Sequence, residues 1–286
     1  MQGDINMNIK ILSDSTCDLS DDLLEKYNIT MIPLTVIKDG NAYTDRTDIT
    51  PEDIFAHVAA GGDLCSTTAN NVGEYTDAFE KYASEYDGVI HINLGSGFSS
   101  CYQNACLAAE DYENVRVIDS QNLSTGQGLV VLKACELAQT CTDLDDLKAQ
   151  LDDYTQKIES SFLLDQLQYM VKGGRCSMVA ALGANLLNLK PCIEVRGGKM
   201  SVVKKYRGSY AKCIASYVKD RLADRDDLDP TTLFVTSTTI TDDCRDAAEA
   251  AIAQYDTFET AYRTTAGCAI SCHCGPGTFG LLFARK

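Results

Sequence analysis

Hydrophobic and polar positions along the first half of the chain follow two alternating rhythms. Short apolar runs at Ile9–Leu12, Val89–Leu94 and Val115–Ile118 read as strands, and segments with apolar residues at helical spacing lie between them. Ser20 to Tyr27 reads as an acidic, capped helix, and Thr30–Ile37 as an extended stretch that turns at Asp39-Gly40. Pro51, after the cap candidate Thr50, opens another helix at a favoured first position. Val72, Tyr75, Phe79, Tyr82, Ala83 and Tyr86 share one helical stripe, which faces the core by default. Further helices are expected from about Ser99 and from about Gly126. Strands separated by helices predict parallel βαβ units.

Leu144, Leu147, Leu151, Tyr154 and Ile158 mark another amphipathic helix, whose Asp-rich face reads as solvated. The rhythm then changes. Lys190–Val195, Gly197-Gly198 and Lys199–Lys204 predict a β-hairpin. A helix over 209–222, a strand over 232–237, a helix near 241–253, a strand over 257–264 and a last strand near 279–285 follow. Hairpin and βαβ elements together predict a mixed sheet, so two domains are expected, 1–160 and 161–286.

Composition narrows the function. The net charge of −16 argues against nucleic acid or an anionic membrane surface as partner, and any anion site needs local donors inside a cleft. No apolar run approaches the roughly 20 residues of a membrane span. The opening Met1-Gln2-Gly3-Asp4-Ile5-Asn6-Met7 is too polar and short for a signal peptide, with Met7 an alternative start, so a cytoplasmic location is expected. The 13 cysteines are odd in number and include no Cys-x-x-Cys pair, which favours reduced thiols over disulfides or zinc. Cys272-His273-Cys274, read as part of a strand, points neighbours to opposite faces and leaves no metal site.

The candidate chemistry sits where the first-half strands end. Ser13-Asp14-Ser15-Thr16, Ser66-Thr67-Thr68, Gly95 through Ser100, and Asp119-Ser120 with Ser124-Thr125-Gly126 all bring hydroxyls to positions that converge in an open α/β sheet. Hydroxyls and helix N-termini cradle a carboxylate or phosphate well and make a poor acid or base. The Gly95–Ser100 loop lacks the third glycine of a dinucleotide fingerprint, and the chain has no G-x-x-x-x-G-K-[ST] phosphate loop. Leu94 stands two before Ser96, so the G-x-S-x-G elbow of a hydrolase is also absent. Taken alone, Gly95–Ser100 and Ser66–Thr68 read by default as helix caps, and Ser66–Thr68 reads as a second anion-binding edge only if it faces Ser96. Lys172-Gly173-Gly174-Arg175 reads either as a helix stop or as an arginine fork for an anion. Of the three histidines, His57 falls in a helix, His91 in a strand, and His273 in a turn-rich segment where its ring can reach a ligand.

Taken in order, these segments resemble the DegV family, bacterial fatty-acid-binding proteins that serve as binding subunits of fatty acid kinase. The resemblance covers Ser13 through Leu19, Gly95 through Ala105, Asp119-Ser120 with Ser124, Gly126 and Gly128, Leu167 through Arg175, Lys190-Pro191, Tyr206-Arg207, and His273 through Gly280. It implies an α/β fold in two domains, a parallel α/β/α domain followed by a two-layer mixed-sheet domain, with a lipid between them. It implies that a threonine of the 66–68 loop, Thr67 before Thr68, and a serine of the 95–100 loop, Ser96 or Ser99, grip the lipid carboxylate. Arg175 and His273 match the family's head-group residues, and Arg207 matches a basic position for the kinase partner.

The implied activity is binding of a long-chain fatty acid and presentation of its carboxylate to a separate, dihydroxyacetone-kinase-like, ATP-dependent subunit. No catalytic residue and no cofactor beyond the bound acid are implied for this chain. Two departures stand out: Thr67-Thr68-Ala69-Asn70-Asn71 where the family commonly has Thr-Ser-Gln-Pro-Ser, and Ser99-Ser100-Cys101 where it has Ser-Gly-Thr. The rival expectations are an acyl hydrolase using Ser96 with His273, and a phosphate- or sugar-binding module without an acyl tunnel.

Overall fold

The computed structural model describes residues 6–180 and 189–286. The first half runs through β1 (Ile9–Asp14), α1 (Asp21–Lys26), β2 (Thr30–Ile32), β3 (Thr35–Lys38), β4 (Asn41–Thr44), α2 (Pro51–Ala59), β5 (Ser66–Thr68) and α3 (Val72–Glu85). It continues with β6 (Gly88–Asn93), α4 (Cys101–Ala109), β7 (Val115–Asp119), α5 (Ser124–Ala138) and α6 (Leu144–Thr155). Four of these strands form a parallel sheet in the order β2-β1-β6-β7. Strand residues alternate between its faces. Ile11, Ile90, Ile92 and Ile118 pack with Leu129, Val130, Leu147 and Leu151 of α5 and α6. Leu12, Val89, Val115 and Val117 pack on the other face with Tyr75 and Phe79 of α3 and with Ala105 and Ala108 of α4. Helices on both faces explain why β6 is buried along its whole length.

Several local expectations change here. The stretch Thr30–Ile37 is two strands in two sheets. It breaks at Pro33, which has no N–H for a ladder, and β3 leaves to pair antiparallel with β4 and β5 in a separate three-stranded sheet. Ser66–Thr68 is therefore a strand, not the loop after one. The cap of α3 falls to Asn71, which forms a reciprocal capping box with Glu74. Thr50 and Asp53 form the same box ahead of Pro51 in α2. Ile158 is not the last turn of α6 but the first residue of the next strand, paired with Ala284.

The second half comprises β8 (Ile158–Leu163), α7 (Gln168–Gly173), α8 (Ser177–Ala180), β9 (Leu189–Arg196), β10 (Lys199–Arg207), α9 (Tyr210–Leu222), β11 (Leu228–Ser237), α10 (Asp242–Ile252), β12 (Thr260–Thr265), α11 (Cys268–Cys274) and β13 (Phe279–Arg285). Its six-stranded sheet has the order β10-β9-β8-β13-β11-β12, antiparallel except for the parallel β11–β12 pair joined through α10. β8 spans the 160/161 position and lies wholly in this sheet. One face packs on α9 and α10 through Ile214, Tyr217, Ala248, Phe279, Leu281 and Phe283. The other face turns toward the first half, where Phe162, Ile193 and Val195 meet Leu94, Phe98 and Leu123. The two halves thus share a core, and the sheet is covered on both sides.

The hairpin turn Gly197-Gly198 bears directly on the junction. A Cβ at Gly97, in the loop after β6, would collide with the carbonyl oxygen of Gly198, so only glycine lets the two loops meet. All thirteen cysteines are free thiols, twelve of them buried. No helix among the described residues is long and apolar enough to cross a membrane.

Candidate functional site

A cavity of about 230 Å³ lies where the loops after β1 and β6 face α7 and α11. Its walls are mostly apolar. Leu34, Leu94, Phe98 and Leu123 come from the first half, and Met170, Met200, Ala269 and Ile270 from the second. Leu123, Ile270 and Cys274 also border a smaller chamber of about 30 Å³ that continues toward Phe162 and Leu282. Polar groups enter the larger cavity as Thr16, Thr67, Ser99, Ser100, Arg175 and His273. Apolar walls with a few polar side chains describe a pocket for an amphipathic small molecule.

Each polar group is set in place by named contacts. Asp14, fully buried at the end of β1, accepts from the Leu94 N–H at 2.8 Å, the Asn93 amide at 3.1 Å and the Tyr75 hydroxyl at 2.8 Å. It thereby fixes the start of the Gly95–Ser100 loop. Asp119, at the end of β7, accepts from the Ser96 backbone at 3.0 Å and the Ser96 hydroxyl at 2.5 Å. Ser99 Oγ accepts from the Cys101 N–H at 3.2 Å and so stands at the start of α4. Ser13, Ser15 and Thr16 bind Ile92, Asp45 and Gln127 in turn, so the hydroxyls after β1 are mainly framework.

His273 meets Thr67 directly, Nε2 to Oγ1 at 3.0 Å, although the two lie 206 positions apart. The segment expected to be a loop or strand around His273 is the helix α11. Its small residues Ala269 and Ser271, its three cysteines, and the closing Gly275 conceal the helical period. The helix is pinned from the first half. Asp18 accepts from the Gly267 N–H at 2.8 Å, and Asp45 from the Cys268 and Ala269 N–H groups at 2.9 and 3.3 Å. Both carboxylates sit at a helix start, where unpaired N–H groups favour negative charge. Burial nevertheless pushes the Asp18 carboxyl up to about 7, helped by the nearby Asp45 charge. Burial lowers His273 to about 4, and the Arg175 charge adds to the effect, so its ring is neutral near pH 7.

The expected site residues divide cleanly. Thr67, Ser99, Arg175 and His273 come together at the cavity. Thr68 does not, because adjacent strand residues face opposite ways and Thr68 is exposed. Ser96 does not either: its hydroxyl is turned to Asp119 and it is absent from the cavity wall. Arg207 lies exposed at the end of β10. Sequence reasoning missed Ser100 on the wall and Asp45 beneath α11, and took Thr16 and Asp18 only as parts of a motif. Asp45 has no sequence signal, since it acts on backbone N–H groups 223 positions away. Among the described residues, no group of three His, Cys, Asp or Glu side chains is placed to hold a metal.

Comparison with known proteins follows the same outline. A family model described as "Uncharacterised protein, DegV family" matches residues 8–286. A DegV domain-containing protein of Clostridium acetobutylicum is 31% identical over 283 residues, covering 97% of this chain and 99% of its own. A DegV family protein from Thermus thermophilus, whose solved structure is described by its fatty acid binding, superposes with a TM-score of 0.88 at 27% identity, over 98% of this chain and 100% of its own. A stearic-acid-binding protein from Eubacterium ventriosum superposes with a TM-score of 0.83 at 25% identity, over 97% and 98% of the two chains. The chain belongs to the DegV family.

Proposed function

We propose that the chain binds a long-chain fatty acid in this cavity, with the carboxylate at the Thr67–His273 end. The observation that carries the reading is one apolar cavity with its hydroxyls, arginine and histidine on the walls, in a fold shared with relatives described as fatty acid binding. Burying an alkyl chain stabilises the complex by about 0.8 kcal/mol per methylene. A carboxylate left unpaired in the same place would cancel much of that gain. Donors to a charged group contribute about 1.5–3 kcal/mol each, so two or three suffice.

The neutral histidine has a specific task in this reading. With its single ring proton on Nε2, His273 donates to Thr67 Oγ1 and leaves the threonine hydrogen to point at the carboxylate. Ser99 or Ser100 supplies a second hydroxyl from the opposite wall, and Arg175 supplies charge at the rim. Acyl hydrolysis fits less well, since His273 contacts a threonine while the Ser96 hydroxyl is bound to Asp119.

The finer reading is that the chain presents the acid to a separate ATP-dependent kinase subunit. A carboxylate oxygen attacks the γ-phosphorus of ATP, the new O–P bond forms as the bond to ADP breaks, and acyl phosphate and ADP result. The nucleotide and its metal belong to the partner, and Arg207 offers that partner an exposed charge. Thirteen unpaired cysteines suit a reducing compartment. Organic extraction of the purified protein followed by mass spectrometry tests the binding. One fatty acid per chain, or saturable uptake of palmitate on titration, is expected; neither being observed rejects it.

A further inference from the structure

We propose that the small chamber beyond Leu123, Ile270 and Cys274 receives the methyl end of the acyl chain, and that Gly280 sets the longest chain the protein accepts; this rests on the fatty-acid reading above. The chamber is the imprint of a missing side chain. Gly280 of β13 stands directly opposite Phe162 of β8 and Thr236 of β11, so the three form one row across the sheet. That row lies on the face turned toward the first half, with Phe162 in the core it shares with Leu94 and Leu123. Leu282, two positions along β13, faces the same way. All four residues border the chamber. A Cβ on Gly280 would lie 3.3 Å from Phe162 Cβ and 3.4 Å from Leu282 Cδ1, between the two side chains. Glycine in a strand interior weakens the strand, and the close approach of a ligand is one reason to keep it there.

The chamber favours carbon and ends the cavity. Its volume of about 30 Å³ takes about two methyl-sized groups, where a single water needs about 10–15 Å³. Ser124 gives its hydroxyl hydrogen to Asp18, Thr238 to the Gly275 carbonyl and Thr278 to the Cys274 carbonyl. Thr236 Oγ1 pairs with Thr125 Oγ1 at 2.6 Å and with Thr264 Oγ1 at 2.8 Å. With these hydroxyls engaged within the protein, the wall offers a ligand its carbon atoms. Behind them, the Thr238 N–H bonds the Thr278 carbonyl and the Ala266 N–H bonds the Ser237 carbonyl, each at 3.0 Å, so the strand ends are tied together. With the carboxylate held at Thr67 and the tail stopped at Gly280, length is measured between two fixed points. Each methylene up to the stop strengthens binding about fourfold. The first carbon past it must push against a close-packed wall.

Calorimetric titration of the full chain with straight saturated acids, from laurate to arachidate, reads the limit. Affinity should climb about fourfold per carbon to a maximum and fall beyond it. In Gly280→Ala the added methyl occupies the chamber, and the maximum should move to an acid shorter by about one or two carbons. Its loss is concentrated in the longest acids, about tenfold or more there against about twofold for laurate. Phe162→Leu opens the same row, and its maximum should move the other way. A maximum that stays at the same acid in both variants, or a loss that is equal at every length, overturns the assignment of Gly280 and leaves fatty-acid binding intact. If Gly280→Ala does not fold, Phe162→Leu decides alone. Wild-type protein that takes up none of the acids overturns both readings.

Discussion

On the parallel-sheet side of the cavity, the Gly95–Ser100 loop is held by Asp14 and Asp119, carboxylates of its own sheet. On the opposite side, α11 and its His273 are held by Asp18 and Asp45, which come from the other half of the chain. The base of the first wall is thus held by its own sheet, with its tip at Gly97 against Gly198 of the hairpin, whereas the second is held only when both halves are docked. The difference has a functional consequence: the position of His273 against Thr67 reports the junction, while the position of Ser99 reports the sheet.

The largest expected effect breaks the first wall. Asp14→Ala leaves the Tyr75 hydroxyl, the Asn93 amide and the Leu94 N–H without their acceptor, and should cost about 3 kcal/mol or more by denaturant unfolding. A loss under about 1 kcal/mol would show that the loop does not depend on Asp14. Asp45→Ala should be milder for the fold and harsher for the ligand, because it frees the start of α11 together with the Ser15 hydroxyl. Next comes the grip itself. Thr67→Val with Ser99→Ala should weaken palmitate about 10- to 100-fold, with an unfolding temperature close to the parent. An unchanged affinity by calorimetry contradicts the assignment of those hydroxyls.

Acidity distinguishes the two ends of α11. Asp18 is raised in the fold from its usual 3.8 to about 7, so its contribution to stability is full below about 4 and is lost as pH rises through 7. Asp18→Asn should therefore gain stability relative to the parent between those values. His273 is depressed from 6.5 to about 4, and the parent loses stability as pH falls through that window, because only the unfolded chain takes up the proton. His273→Gln should remove that acid-side loss. Thermal unfolding across pH 4 to 8 checks both, and parallel curves for parent and variants would contradict the burial of these groups. The smallest effects belong to Thr68→Val and Arg207→Ala, both on exposed side chains, with palmitate affinity within about twofold and stability within about 0.5 kcal/mol.

The sequence made the parallel half legible because its strands are apolar on both faces and its helices carry strong caps, as at Thr50-Pro51. It made α11 illegible, since a short run of alanine, serine and cysteine ending in Gly-Pro-Gly has no amphipathic period. Thr67 and His273 were both recognisable through the family resemblance, but their contact was not readable from spacing. The preference for Thr67 over Thr68 came with the family resemblance, and the strand β5 supplies its physical reason. The choice of Ser99 over Ser96 depended on Asp119 capturing the earlier hydroxyl, a tertiary fact of which local pattern carries no trace.

The central claim is that Thr67, oriented by a neutral His273, grips an ionised carboxylate inside the cavity. Titration of the protein with palmitate labelled with ¹³C at the carboxyl carbon, followed by NMR, tests it directly. One saturable bound resonance is expected, shifted from free palmitate and displaced again in Thr67→Val. A bound carboxyl signal that is identical in the parent and in Thr67→Val would contradict it.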